Sequence, residues 1–280
     1  MIDLHCHMLP GLDDGAPDLA TALAMARMFA ADGVTHVACT PHILPGVYHN
    51  TGGEIRAAVG AFDAELRNQG IDLAVFPGAD AHMTPAFIHG LRSGHIPTLG
   101  ASRYVLIEPP HHTVPQRIEQ FFFDILVAGY VPILTHPERL RWINDHYAIM
   151  QRLAAHGVWM QLTAASVTGA FGKNARYWAE RMLDEGLVHI LASDAHDVHR
   201  RIPNLSRGRD AAAKRLGDVE ARHLVITRPW GILSDELPNA MPAPPGLLPS
   251  ERRADQPEAV GARGDPGKRS WASRLRNLFE

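Results

Sequence analysis

The sequence predicts an α/β fold: seven strand-plus-helix units whose parallel strands close, or nearly close, into a TIM-like barrel. Three observations predict it. Short apolar runs alternate with amphipathic stretches along most of the chain. Several of the amphipathic stretches stop at a glycine, as helices do. Side chains able to do chemistry recur just past the apolar runs, where such barrels gather their active sites. An open, doubly wound sheet is the alternative, but no GxGxxG or P-loop motif supports a nucleotide-binding version of it.

The elements follow in order. The first apolar run is Ile2 to Cys6. A helix is expected from Asp18 to Ala31, with Asp18 as N-cap and Gly33 as stop. The second run is Val34 to Cys39, followed by a helix from Glu54 to Gln69 ending at Gly70. The third is Leu73 to Phe76, with a short helix from Pro85 to Arg92. The fourth is Tyr104 to Ile107, with a helix from Gln116 to Ala128. The fifth is Val131 to Leu134, with a helix from Ile143 to Ala155. The sixth is Val158 to Leu162, with a helix from Asn174 to Glu185. The seventh is Val188 to Ala192, with a helix from Leu205 to Leu216. Repeated β-α-β connections of this kind are right-handed and build a parallel sheet.

Composition changes near residue 235, so residues 1–234 are expected to form the barrel. The stretch Leu237 to Ser250 holds five prolines, and Glu251 to Gly267 is polar. Asp235 to Lys268 therefore reads as a flexible linker. Arg269 to Glu280 returns to helical spacing, with Trp271, Leu275, Leu278 and Phe279 on one face. That segment is a docking helix, a weak membrane-surface contact or a frayed tail.

Of the 280 residues, 46% are hydrophobic and 20% charged, ordinary for a soluble enzyme. A net charge of −3 and a pI near 6.6 give no global attraction to nucleic acid or anionic membranes. The two cysteines, Cys6 and Cys39, are too few for a disulfide framework and read as core residues in a reducing compartment. No secretory leader or membrane span is expected, which makes the cytoplasm the default setting.

The chemistry lies at the strand ends. The first strand ends His5-Cys6-His7, and strand alternation would aim both imidazoles at one metal while Leu4 and Cys6 face the helices. Asp13 and Asp14 follow in the next loop. The other runs lead to His42, Asp80, Glu108, His136, and the pair Asp194 and His196. A lone HxH or DDG is commonly incidental, and single histidines are commonly caps or core. Together, carboxylates converging on one barrel mouth would repel one another without cations. Imidazole and carboxylate without thiolate suit Mn, Fe or Zn, and nine ligands suit two or three ions. Such clusters activate water and clamp a phosphoryl group. Arg139 and Arg201 flank the same mouth and could grip phosphate, with Arg141 and Arg200 as neighbouring substitutes.

The segments IDLHCHMLPGLDDG, TPH, GAD, SRYVLIE, THPER and LASDAH, in this order, resemble the PHP (polymerase and histidinol phosphatase) superfamily. Within it the chain looks most like the manganese-dependent protein-tyrosine phosphatases of bacterial capsular and exopolysaccharide operons. The resemblance covers about residues 1 to 233 and implies a distorted (β/α)7 barrel with three metal ions, most simply Mn²⁺. It implies that His5, His7, Asp80 and Asp194 hold one ion. Asp80, Glu108 and His136 would hold a second, with Asp80 bridging, and Asp14, His42 and His196 a third. Arg139 and Arg201 match the phosphate-contacting arginines. One departure is Asp80, where the family usually has Glu. The resemblance further implies attack of a metal-activated hydroxide on phosphotyrosine, with a bacterial tyrosine autokinase as partner. No Cys-x5-Arg loop is present: Leu12 and Pro45 stand six residues after Cys6 and Cys39. His111, His112 or His199 could supply a proton. Two rival functions remain at this point: a phosphatase for a small ester such as histidinol phosphate or a nucleotide, and a non-catalytic docking module.

Overall fold

A computed structural model describes residues 1–248 of the chain. The strands are β1 (Ile2–Cys6), β2 (His36–Cys39), β3 (His42–Leu44), β4 (Tyr48–His49), β5 (Ala74–Pro77), β6 (Asp80–His82), β7 (Tyr104–Glu108), β8 (Val131–Thr135), β9 (Trp159–Thr163) and β10 (Ile190–Ala192). The helices are α1 (Leu19–Ala31), α2 (Gly52–Asn68), α3 (Phe87–Arg92), α4 (Ile118–Val127), α5 (Ile143–Ala155), α6 (Ala164–Thr168), α7 (Gly172–Asp184), α8 (Leu205–Leu216), α9 (Asp218–Arg222) and α10 (Arg228–Leu233). Helices α5 and α8 occupy the predicted spans. Helix α2 starts earlier than predicted, because Thr51 and Glu54 form a reciprocal capping box there.

The strands form two sheets, ordered β1-β2-β5 and β10-β9-β8-β7-β6-β3-β4. All pairs are parallel except β3 with β4. β2 runs on into β3, and β5 into β6, so the ten strands make seven staves and a small antiparallel hairpin. The seam between β1 and β10 is closed by a Cys6–Ala195 bridge. There the His7 N–H donates to Ala195 O (2.8 Å) and the Asp194 N–H to His5 O (2.9 Å). The result is the distorted seven-stave barrel, not an open sheet.

The two broken staves correct the expectation that strand ends precede His42 and Asp80. Both residues lie on resumed strands, paired with each other in register. Pro41 has no N–H to continue the first ladder, and the Thr40 hydroxyl accepts the Cys6 N–H (3.1 Å) beside the gap. Gly78 sits at the second break, where a Cβ would lie 2.8 Å from Leu99 Cδ2 and 3.0 Å from Thr40 Cγ2. A larger residue there would have to displace those two side chains.

β1 supplies a second correction. Leu4 does not face the helices; it packs inside the barrel with Ile2, Leu106, Ile133, Trp159 and Ile190. The pairing of β1 with β2 shifts between Asp3 and Cys6, giving β1 one extra residue. A bulge of this kind re-aims side chains at a barrel rim. It lets Leu4 and His5 both point inward, while Cys6 joins the outer core between strands and helices.

The chain does not leave the barrel after α8. Helix α9, one π-helical turn and α10 cross its N-terminal end, and Ile232, Leu233 and Met241 plug the interior core. Residues 235–248, expected to start the linker, lie on the barrel. Asp235 pairs with Arg103 (2.8 Å), the Tyr104 hydroxyl donates to Glu236 O (2.7 Å), and Met241 is buried. The prolines of this stretch restrict its backbone instead of loosening it, and Pro238 and Pro245 each open a 3-10 turn. The remaining linker and the amphipathic segment Arg269 to Glu280 lie outside the described residues. Among the described residues, no helix is long and apolar enough to cross a membrane.

Candidate metal centre

Each stave brings its chemistry to the mouth by alternation. On β7, Tyr104 and Leu106 point into the barrel, and Glu108 follows on the same side at the rim. β9 does likewise with Trp159 and Gln161. At the ends of β8 and β10 the backbone adopts the left-handed region, at His136 (φ 34) and Asp194 (φ 54). Neither residue is glycine, so both conformations are strained, and such strain clusters at functional sites. Here it turns both side chains inward.

The nine residues expected as ligands come together. Nε2 of His5 lies 3.5 Å from Asp80 Oδ2 and 3.4 Å from Asp194 Oδ1. Nε2 of His7 lies 3.5 Å from Asp194 Oδ1. Nε2 of His136 lies 3.7 Å from Glu108 Oε1 and 3.9 Å from Asp80 Oδ2. Nε2 of His196 lies 3.5 Å from Asp14 Oδ1. His42 faces two ways: Nδ1 is 3.5 Å from both Asp80 and Glu108, and Nε2 is 3.6 Å from Asp14. His42 therefore stands between two sets of donors, and His7 joins Asp14, His42 and His196 in one of them. Despite its short side chain, Asp80 reaches His5, His42 and His136 at once.

The protonation pattern asks for cations. Nδ1 of His5 is bound to Gln161 Oε1 (2.8 Å), Nδ1 of His7 to Asp13 Oδ2 (2.6 Å), and Nδ1 of His196 to Asp194 O (3.0 Å). Each partner is an acceptor, so each Nδ1 carries a proton, and each Nε2, where the ring is neutral, presents a lone pair to the cluster. The Nε2 atoms of His5 and His7 are only 3.2 Å apart. Two such lone pairs repel unless a cation lies with them. Asp80 is fully buried, and neither of its oxygens has a hydrogen-bond partner. Burial and the neighbouring Glu108 push its carboxyl well above the usual carboxylate range. Burial likewise drives His7 down to about 3. These donors fit a divalent metal cofactor: they are imidazoles and carboxylates turned to one point, with Asp80 left without any hydrogen bond from the protein.

Arg139 and Arg201 meet at one atom. Each places a guanidinium nitrogen 2.5 Å from Asp194 Oδ2. Burial would raise the Asp194 carboxyl, but His5 and these two arginines hold it well below the usual range. Both guanidinium groups also lie over the Phe171 ring, at 4.5 and 6.0 Å from its centroid. Nε of Arg201 is buried and unpartnered. Arg141 and Arg200 are exposed, and neither contacts Asp194.

Several residues around the centre were not singled out as ligands from the sequence. Gln161 was legible as a polar residue inside an apolar strand. Asp13 was noted only as a neighbour of Asp14. His111 Nε2 lies 3.0 Å from Glu108 Oε1 and groups with Glu108 and His136. Nδ1 of His82 lies 3.4 Å from the other oxygen of Glu108. Buried Asp3 accepts the N–H groups of His5 (3.1 Å) and Ser193 (2.9 Å), tying β1 to β10 beneath the site. His112 lines the mouth, and His199 is exposed. The more open side of the centre is a cleft of about 530 Å³ between the β3–β4 hairpin and residues 110–113.

The chain is similar to several known proteins. The tyrosine-protein phosphatase YwqE of Bacillus subtilis is 37% identical over 201 residues, spanning 72% of this chain and 79% of its own. The tyrosine-protein phosphatase CpsB of Streptococcus pneumoniae is 28% identical over 242 residues, spanning 85% of this chain and all of its own. A solved structure from work on YwqE and CpsB, described as unique metal-dependent tyrosine phosphatases, superposes with a TM-score of 0.81 at 33% identity. It covers 85% of this chain and 96% of that one. A probable 2-pyrone-4,6-dicarboxylic acid hydrolase from Acinetobacter baumannii shares the fold alone, at 14% identity, a TM-score of 0.53 and coverage of 83% and 98%. The profile of the capsular polysaccharide synthesis family CpsB/CapC matches residues 1–234, and the chain belongs to that family.

Proposed function

We propose that this chain is a metal-dependent protein-tyrosine phosphatase of capsule or exopolysaccharide synthesis. The observation that carries the reading is Asp80, a fully buried carboxylate with no hydrogen-bond partner, surrounded by imidazole nitrogens. His5, His7, Asp14, His42, Asp80, Glu108, His136, Asp194 and His196 are the proposed ligands, with Asp80 as the bridge. The number of donors suits three ions, and the oxygen and imidazole set suits Mn²⁺.

Bound cations of this class acidify water and neutralise charge on phosphoryl oxygens. The protein's own residues do the rest. Arg139 and Arg201 are held in place by Asp194 and Phe171. Their remaining N–H groups bind the phosphoryl oxygens as charge builds there. Gln161 and Asp13 fix the tautomers of His5 and His7. A phenolate leaving group, with a pKa of about 10, departs with less protonation than an alkoxide. The proposed physiological partner is a tyrosine autokinase in a cytoplasmic setting. The names of the relatives and the capsular family support that choice.

Metal-loaded protein assayed in parallel on a phosphotyrosine peptide, histidinol phosphate and a nucleotide tests the reading. Turnover of the peptide, lost on chelation and restored by Mn²⁺, is expected. Efficient turnover of a small ester with none of the peptide would replace it with the small-molecule alternative.

A further inference from the structure

The β3–β4 hairpin is an excursion from the barrel. β3 pairs with β6 on one edge and with the antiparallel β4 on the other. Its alternation divides it into two faces. His42 and Leu44 line the cleft at the metal centre, whereas Ile43 and Pro45 line a separate cavity of about 320 Å³. Leu44 is paired in register with Tyr48, so the two side chains stand side by side on the cleft face. The Tyr48 ring lies nearly parallel to that of His42, with centroids 5.7 Å apart and planes inclined by 15°. Tyr48 thus packs beside His42 and carries the aromatic lining outward from the donor cluster along the cleft. Asn50 fixes the hairpin, donating to His42 O (2.8 Å) and to Leu12 O (2.9 Å) beside the Asp14 loop. The facing wall is held as firmly. Trp142 Nε1 donates to Pro110 O (2.9 Å) and the Arg141 N–H to His111 O (2.9 Å).

We propose that Leu44 and Tyr48 form an aryl-recognition wall, which takes the ring of the substrate against the hairpin and sets a preference for aryl over alkyl phosphate esters. The proposal rests on the phosphatase reading above. A phosphoryl group at the donor cluster leaves its ester substituent in the cleft, between Leu44 and Tyr48 on one side and Pro110 on the other. A flat ring gains a contact on such a wall that an alkyl chain does not match. Neither residue is placed among the proposed ligands, so specificity can be read apart from metal binding.

The test compares binding of phenylphosphonate and methylphosphonate to metal-loaded protein by calorimetry. The affinity ratio of the two is measured within each variant. The wild type is expected to favour phenylphosphonate. The ratio is expected to fall about 3- to 10-fold in Tyr48→Ala and in Leu44→Ala, the range of an aromatic contact. Tyr48→Phe, which keeps the ring, is expected to retain it. An unchanged ratio in both alanine variants overturns the proposal, even if phosphotyrosine is hydrolysed. A wild type that turns over no phosphotyrosine peptide overturns the phosphatase reading, and this inference with it. Thermal unfolding of each variant identifies any ratio lost through misfolding, in which case Tyr48→Phe and Leu44→Met decide: a ratio that stays at the wild-type value supports the wall, and a collapsed one overturns it.

Discussion

The two ends of the barrel both bury charge, but they treat it differently. At the N-terminal end, Arg228 is fully buried and is held by the protein through Nε and Nη1, with Nη2 alone left without a hydrogen-bond partner. It pairs with Glu220 (2.7 Å) and donates to Pro242 O (2.7 Å) and His189 O (3.2 Å). That arrangement fastens α9, α10 and residues 235–248 across the barrel bottom. At the C-terminal end, Asp80 is as deeply buried, yet neither of its oxygens has a hydrogen-bond partner. A buried charge with protein partners is part of the structure, and a buried charge without them is prepared for a ligand. The contrast separates a plug from a site without reference to any relative.

Several substitutions would break or sharpen that contrast. Arg228→Ala leaves Glu220 as an unpaired buried charge and should cost about 3–5 kcal/mol in denaturant unfolding. Activity per folded molecule should be unchanged. Arg139→Ala should do the reverse. Loss of one donor at the phosphoryl group lowers kcat/KM about 10²- to 10³-fold, with a far smaller change in the unfolding midpoint. Lysine should rescue little, because it lacks the planar guanidinium that reaches Asp194, lies over Phe171 and keeps further N–H groups for phosphate. Gln161→Leu removes the group that fixes the His5 tautomer. It should weaken metal affinity about 10- to 100-fold, as loss of such outer partners does. Equilibrium dialysis reads the change. Arg103→Ala breaks the exposed pair with Asp235 and should shift the unfolding midpoint least of the four. A larger shift than that of Arg228→Ala would mean that residues 235–248 hold the plug more than Arg228 does.

The same contrast explains what could be read from the sequence. The seven staves were legible because apolar runs and glycine stops repeat with the period of a strand and a helix. Most of the proposed ligand set was legible because its members sit near the same end of each strand, with Asp14 in the loop after the first. What escaped lay in departures from that regularity. The extra residue in β1 turned Leu4 inward, and an alternation argument counts no extra residues. Pro41 and Gly78 looked like strand ends, although each stave resumes beyond them to carry His42 and Asp80. The proline-rich stretch after residue 235 read as a linker, because its anchors are scattered singly. Asp235, Glu236 and Met241 each bind a different part of the barrel bottom. The convergence of Arg139 and Arg201 on one oxygen of Asp194 depends on two strained backbone turns, which no spacing reveals.

The most direct test of the account is to return Mn²⁺ stepwise to chelated protein, measuring bound metal per chain and phosphotyrosine-peptide turnover at each step. The account predicts that turnover rises from none to its maximum as about three ions bind, the number the donor set suits. It also predicts that Asp80→Ala binds fewer ions and stays inactive. Full turnover by metal-free protein, or by Asp80→Ala, would contradict it.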